Sequence, residues 1–120
     1  MLKVRYNPKW CEDSPIEYAI RYTDEQFSEL SKVWADLGLE LLVHKQEVDP
    51  MIDIIQRDED GLIVYAMTIR VGDWFTVDPA DNEWYVVPNK EFTERYLVVE
   101  EETSHAQLDS TREIFKEVIV

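Results

Sequence analysis

The 120-residue sequence contains one cysteine, three glycines and two histidines, and each scarcity closes off a class of protein. A lone Cys11 excludes an internal disulfide framework and a cysteine zinc cluster. Glycines at positions 38, 61 and 72 are too few and too scattered to build a phosphate-cradling loop. Cationic residues are also short, 12 Lys and Arg against 26 Asp and Glu, for a formal net charge of −14. Proteins that grip a nucleic-acid backbone draw their affinity from Lys and Arg displacing counterions, so direct backbone binding is not expected. No apolar run approaches the ~20 residues of a membrane helix, and Met1–Lys9 lacks the apolar stretch of a secretory leader. The expectation is a soluble, cytoplasmic protein with no membrane partner.

What is present is a core. Hydrophobic residues make up 45% of the chain, with 4 Trp, 6 Tyr and 4 Phe, whereas a disordered acidic chain is poor in aromatics. The length fits one domain. Leu2–Tyr6 reads as an edge strand in a proline-flanked segment, and Ile16–Tyr22 alternates with period two, which predicts a half-buried strand lined by Ile16, Tyr18, Ile20 and Tyr22. Thr23-Asp24-Glu25-Gln26 fits a capping box. Phe27, Leu30, Val33, Trp34 and Leu37 then share one face of a helix over 24–37, which Gly38 ends. Leu39–His44 and Met51–Ile55 read as strands, and Asp58–Gly61 as a turn. The run Leu62–Ile69, apolar or β-favouring throughout, predicts a central strand buried on both faces. Trp74–Val77 and Glu83–Val87 flank a second acidic turn, Asn89 is placed to cap a short helix bearing Phe92 and Tyr96, and Leu97–Val99 returns as a strand. Ser110–Glu113 is a second capping box, opening a helix that carries Ile114, Phe115, Val118 and Ile119.

The predicted fold class is α+β: a small antiparallel sheet, a meander or a partly closed barrel, packed by one amphipathic helix and a short second helix. Residues 1–100 form the domain, and residues 101–120 an acidic hinge and helical tail that docks on the domain or on a second copy.

Candidate chemistry is sparse. A Cys–His nucleophilic pair needs Cys11 beside His44 or His105, and nothing in the spacing brings them together. Aligning Gly61 with the glycine of a calcium loop puts Gln56 and Met67 at ligand positions that demand acidic oxygens, so Asp58-Glu59-Asp60-Gly61 is a charged turn rather than a metal loop. No metal site, cofactor or catalytic residue is assigned. Trp34, Trp74 and Trp84 are expected in the core, while Trp10 has no evident core partner and is a candidate interface anchor. Residues 51–120 hold 16 acids against 6 bases, which concentrates the negative charge in the later part of the chain.

Val71-Gly72-Asp73-Trp74-Phe75-Thr76-Val77, followed by Glu83-Trp84-Tyr85-Val86-Val87, Phe92 and Tyr96, is similar to a family of short phage and prophage proteins. Its members carry a Gly-Asp-Trp strand, a Gly-Glu-aromatic-Tyr strand and a helix with Phe and Tyr four apart. Arg5, Pro8, Glu17, Ala19 and Thr23 match the family's N-terminal pattern. Val71 stands where the family has Pro, Asn82 where it has Gly, Trp10–Pro15 looks inserted, and residues 101–120 are an added tail. The resemblance implies a phage origin and conveys no catalytic residues.

The expected function is that of a non-enzymatic, phage-encoded binding protein in the host cytoplasm, an acidic inhibitor of a host factor such as an anti-CRISPR. Its candidate contact residues are Trp10, Asp58, Glu59, Asp60, Asp78, Asp81, Glu83, Glu100, Glu101 and Glu102, meeting a basic protein surface such as that of a nucleic-acid-binding protein. Two alternatives stand beside it. One is sequestration of a nucleotide signal, with Arg21, Arg57, Arg70 and Arg95 as the available cations. The other is an assembly protein that dimerises through Ile114, Phe115, Val118 and Ile119.

Overall fold

A computed structural model describes residues 1–44 and 51–101. In chain order the elements are β1 (Leu2–Tyr6), β2 (Glu17–Arg21), α1 (Phe27–Asp36), β3 (Glu40–His44), β4 (Met51–Arg57), β5 (Ile63–Arg70), β6 (Trp74–Val77), β7 (Trp84–Val87), α2 (Asn89–Arg95) and β8 (Tyr96–Glu101). The strands form two antiparallel sheets, one ordered β7-β6-β2-β1-β8 and the other β3-β4-β5. Both are open. The α+β class holds, the smaller sheet is a meander, and no barrel forms.

The main core lies between the sheets. Ile20, Tyr22, Phe75, Val77, Trp84 and Val86 of the larger sheet and its edge meet Ile52, Ile54 and Ile69 of the smaller one, with Leu30 and Trp34 of α1 in the same cluster. Aromatic contacts run through it: Trp34 meets Phe75 edge-on at 5.9 Å between ring centroids, and Phe75 stacks on Trp84 at 5.6 Å. A second cluster covers the opposite face of the larger sheet, where Phe92 and Tyr96 close over Val4, Ala19 and Val87. There the rings of Tyr6, Tyr96, Phe92 and Trp74 stack in series, with neighbouring centroids 4.7, 5.0 and 3.9 Å apart.

Two strand expectations exchange places. The alternating segment is β2, which is buried on both faces: Tyr18 and Ile20 face the main core, while Glu17 and Ala19 face the second cluster. Ile16, expected inside, is exposed. The apolar or β-favouring segment is β5, an edge strand covered on one face only, so that Ile63 and Val64 are more than half exposed. Dividing the strands between two sheets explains both outcomes. It puts β2 at the centre of five strands and leaves β5 with one neighbour.

The helix ends differ as well. Thr23 Oγ1 accepts from the Gln26 amide at 3.2 Å, as the capping box requires, but residues 23–26 form a turn and α1 starts at Phe27, with Leu30 and Trp34 as its buried residues. Asn89 does not cap α2. Its side chain accepts from Trp74 Nε1 at 2.9 Å, and Pro88 occupies the cap position. Asn82 takes a left-handed conformation, φ 62°, which asparagine tolerates better than most residues other than glycine. The hinge expected from residue 101 begins within a strand, since β8 extends through Glu101, and the expected tail helix lies outside the described residues.

Two buried tryptophans differ in how their indole N–H is satisfied. Trp84 Nε1 donates to Gln56 Oε1 at 2.9 Å, whereas Trp34 Nε1 is buried with no acceptor among the described residues. Trp34→Phe loses volume but also removes an unsatisfied donor, whose burial costs about 1–3 kcal/mol, so its net effect is expected to stay within about 1 kcal/mol. Trp84→Phe loses volume and strands the Gln56 acceptor, an expected cost of about 2 kcal/mol or more. Urea denaturation of the two variants measures the order; a larger loss for Trp34→Phe would refute it.

Candidate functional site

The two acidic turns leave the molecule at the same end. The β4–β5 turn follows Arg57, and the β6–β7 turn ends at Glu83. The bond from Trp84 to Gln56 joins the roots of these hairpins, and Tyr65 reinforces the joint by packing on Trp84 (4.7 Å between centroids) and Tyr85 (6.4 Å). Gln56 lies two residues before Asp58 and Trp84 one residue after Glu83, so the turns start within a few strand-residue lengths of about 3.3 Å each. The β1–β2 connection opens at this end too. Tyr18 pairs with Val77, which sets the start of β2 beside Asp78.

Within each turn the acids divide their work. Asp58 Oδ1 accepts from the amides of Asp60 and Leu62, both at 2.9 Å. Asp78 Oδ1 accepts from Ala80 at 2.9 Å, and Asp81 Oδ1 from Glu83 at 3.0 Å. These three aspartates shape the loops, as Asx turns do. Glu59, Asp60 and Glu83 are exposed, and their carboxylates make no hydrogen bond or ion pair among the described residues. Arg57, the cation nearest the first turn in sequence, is held by Glu40 at 2.6 Å and by the Gly61 carbonyl at 2.8 Å.

Behind the second turn lies an acid that sequence reasoning missed. Glu17 is 7% exposed. Burial pushes its carboxyl above the ordinary range; the Thr76 hydroxyl works against this, and Asp78 and Asp81 add to it. Strand register places Glu17, Ala19, Thr76, Tyr85, Val4, Tyr6 and Tyr96 on one face, through the pairs Val4 with Glu17, Ala19 with Thr76, Thr76 with Tyr85, and Tyr6 with Tyr96. Thr76 is wholly buried, and its Oγ1 completes no well-formed hydrogen bond. Burial, the Tyr6 hydroxyl and the charge of Glu17 hold the Tyr96 phenol protonated far above its usual range. The Glu83 carboxylate, ahead of burial and Glu17, raises that of Tyr85. Period-two alternation assigned this position to solvent.

A second exposed feature is the outer face of the smaller sheet. Asp53 accepts from Thr68 Oγ1 at 2.6 Å and bonds His44 Nε2 at 2.9 Å. The Thr68 bond first, then the His44 bond, holds the Asp53 carboxyl below its usual range. Thr68 and His44 both engage the carboxylate rather than each other, so the trio lacks the contact by which an imidazole activates a hydroxyl. A shallow depression of about 240 Å³ beside it is lined by Asp53, Ile55, Ile63, Ala66, Met67 and Thr68. Among the described residues no group of three or more His, Cys, Asp and Glu side chains is arranged to hold a metal.

Of the residues singled out from sequence, Asp58, Glu59, Asp60, Asp78, Asp81 and Glu83 are brought to one end, and Trp10 sits on the β1–β2 connection that opens there. Trp10 is 56% exposed, and its ring carries the Arg95 guanidinium at 5.1 Å. Glu100 and Glu101 do not join them. They lie on β8, and β8 and β7 are opposite edges of the five-stranded sheet, four strand spacings or roughly 19 Å apart. Glu102 and the proposed dimer contacts Ile114, Phe115, Val118 and Ile119 fall outside the described residues. Of the cations considered for a nucleotide, Arg21 donates to the Gly72 carbonyl, Arg57 is held by Glu40, Arg70 is exposed at the end of β5, and Arg95 is shared between Trp10 and Glu91. Cys11 is exposed. No helix among the described residues is long and apolar enough to cross a membrane. No protein-family model matches the chain, and no curated protein or solved structure is significantly similar to it.

Glu17 makes stability depend on pH in a defined direction. Its folded pKa lies above the unfolded one, so the folded state binds the extra proton between the two values, and stability falls as pH rises through that window. Below the unfolded value the Glu17 contribution is fully present; above the folded value it is lost. Glu17→Gln removes the titration, and the variant is expected to melt higher than the parent at pH 7 and to lose that advantage near pH 4. Thermal melts across this range check the sign; a Glu17→Gln protein less stable at pH 7 would contradict it.

Proposed function

We propose that this chain is a non-enzymatic binding protein whose acidic end occupies a basic surface on another protein. The observation that carries the reading is the convergence of the β4–β5 and β6–β7 turns, locked together by the Trp84–Gln56 bond. Glu59, Asp60 and Glu83 stand on preformed loops with their charges uncommitted, so they meet a cationic surface without first breaking internal bonds. Complementary charge of this kind speeds encounter and selects the partner. Trp10, exposed on the neighbouring connection, supplies an aromatic ring of the type that anchors interfaces.

With the resemblance to phage and prophage proteins, the same reading makes the chain an inhibitor of a host factor, a counter-defence protein of the anti-CRISPR kind acting in the cytoplasm of the infected bacterium. A host protein that itself binds nucleic acid offers the required basic surface, and an acidic occupant competes there with the phosphate backbone.

Capture from host lysate with the full chain as bait is expected to recover one stoichiometric partner at low salt and to release it near 0.5 M salt, where screening reaches within about 5 Å. Replacing Glu59, Asp60 and Glu83 together by Lys is expected to weaken the captured pair about tenfold or more, chiefly through the on-rate. Asp58→Lys instead disturbs the turn itself. Capture that survives both high salt and the triple reversal would eliminate the acidic end as the contact.

A further inference from the structure

We propose that Glu17, with the Thr76 hydroxyl behind it and the Tyr6, Tyr85 and Tyr96 rings around it, receives the guanidinium group of an arginine presented by the partner. This deepens the reading above by naming the anchoring contact, and it rests on that reading for the source of the arginine. Four observations converge. Glu17 is 7% exposed, yet the groups acting on it are a hydroxyl and two further acids, with no cation among them. A buried carboxylate normally has a cationic or hydrogen-bonding partner, because its unpaired burial is costly. Thr76 is fully buried behind it, and its hydroxyl, which acts on both Glu17 and Tyr96 without completing a well-formed hydrogen bond, is the only neutral polar group among the described residues bearing on the carboxyl.

The rings supply the third element. Register sets Tyr85 directly across from Thr76, and Tyr6, two residues along from Val4, on the same face. Tyr6 and Tyr96 stack at 4.7 Å, and Tyr85 is 46% exposed, so the cluster presents one open ring beside the carboxyl. Aromatic faces favour cations, and more so where water is partly excluded. The fourth element is the approach. Asp78 and Asp81 sit close enough to act on Glu17, and Glu83 close enough to act on Tyr85, so negative charge surrounds the carboxyl and the open ring. Guanidinium fits this set better than ammonium. Its planar fork sets two parallel donors against one carboxylate while its flat face lies on a ring, and it stays charged at every relevant pH.

The probe is argininamide, titrated into the full-length chain with the side-chain carboxyl carbons of glutamate observed by NMR. Saturable shifts centred on Glu17, with its pKa falling as probe is added, are expected. Glu17→Gln is expected to weaken binding roughly tenfold or more, as loss of a charged hydrogen-bond partner does, and Tyr85→Ala about threefold. Glu17→Gln is the safer variant for folding, since it removes a buried titrating acid. Asn and Gln replacements at Asp58, Glu59 and Asp60 are expected to leave the probe's affinity within about twofold, because these residues lie outside the cluster. Tetramethylammonium, which has charge but no donors, is expected to bind at least about fivefold more weakly; equal binding would overturn the guanidinium assignment. Shifts spread over the surface acids and insensitive to Glu17→Gln would overturn the site. In that case salt-sensitive capture by Glu59, Asp60 and Glu83 stands or falls separately.

Discussion

The hydrogen bond from the Trp84 indole to Gln56, with the packing of Phe75 and Tyr65 on the same ring, is the joint on which the arrangement depends. With the Val86 amide, which donates to Met67 Sδ at 3.4 Å, it ties the five-stranded and three-stranded sheets by directional contacts as well as by apolar area. Burial sets how close two sheets lie but not how they are turned relative to one another. A single N–H that must find an acceptor does so. By fixing Trp84 against Gln56, the fold brings the acidic β4–β5 and β6–β7 turns to one end, so charges far apart in sequence act together.

That end contains two kinds of acid. On the surface, Asp58, Asp78 and Asp81 spend an oxygen each on turn amides, which leaves Glu59, Asp60 and Glu83 to project from loops already in shape. Beneath them, Glu17 sits on the sheet face that carries the Tyr6–Tyr96–Phe92–Trp74 stack, where burial works against its charge. A carboxyl in this position lowers stability at neutral pH, and the same strain makes a cation at this position favourable. Cost to the free protein and affinity for a guanidinium are then two expressions of one buried charge.

Much of the fold was legible in the residues. Leu30 and Trp34 at helical spacing marked α1, the acid-glycine and acid-proline clusters marked the turns, and Phe92 marked α2, while Tyr96, expected beside it on the helix, opens β8 instead. The acidic site residues in the two turns were legible as turn formers, since Asp58 and Asp78 are the residue types that bond their own backbone. Glu17 was not. Alternation reports one covered face, and it reads a charged residue on the other face as solvated; β2 lies at the centre of a sheet covered on both sides, so the inference inverted. The same blindness made β5 look central, because a run of apolar residues has the same appearance whether its second face meets a protein layer or is left bare.

Residue order by itself determined the local elements, the turn chemistry and the excess negative charge, because each follows from a few neighbouring side chains and their backbone preferences. Only the tertiary structure decided which strands became central, which acids were gathered at one end, and which one went inside. Those outcomes depend on contacts between residues tens of positions apart, Trp84 with Gln56 and Glu17 with Thr76 among them, and no short-range pattern encodes such a meeting.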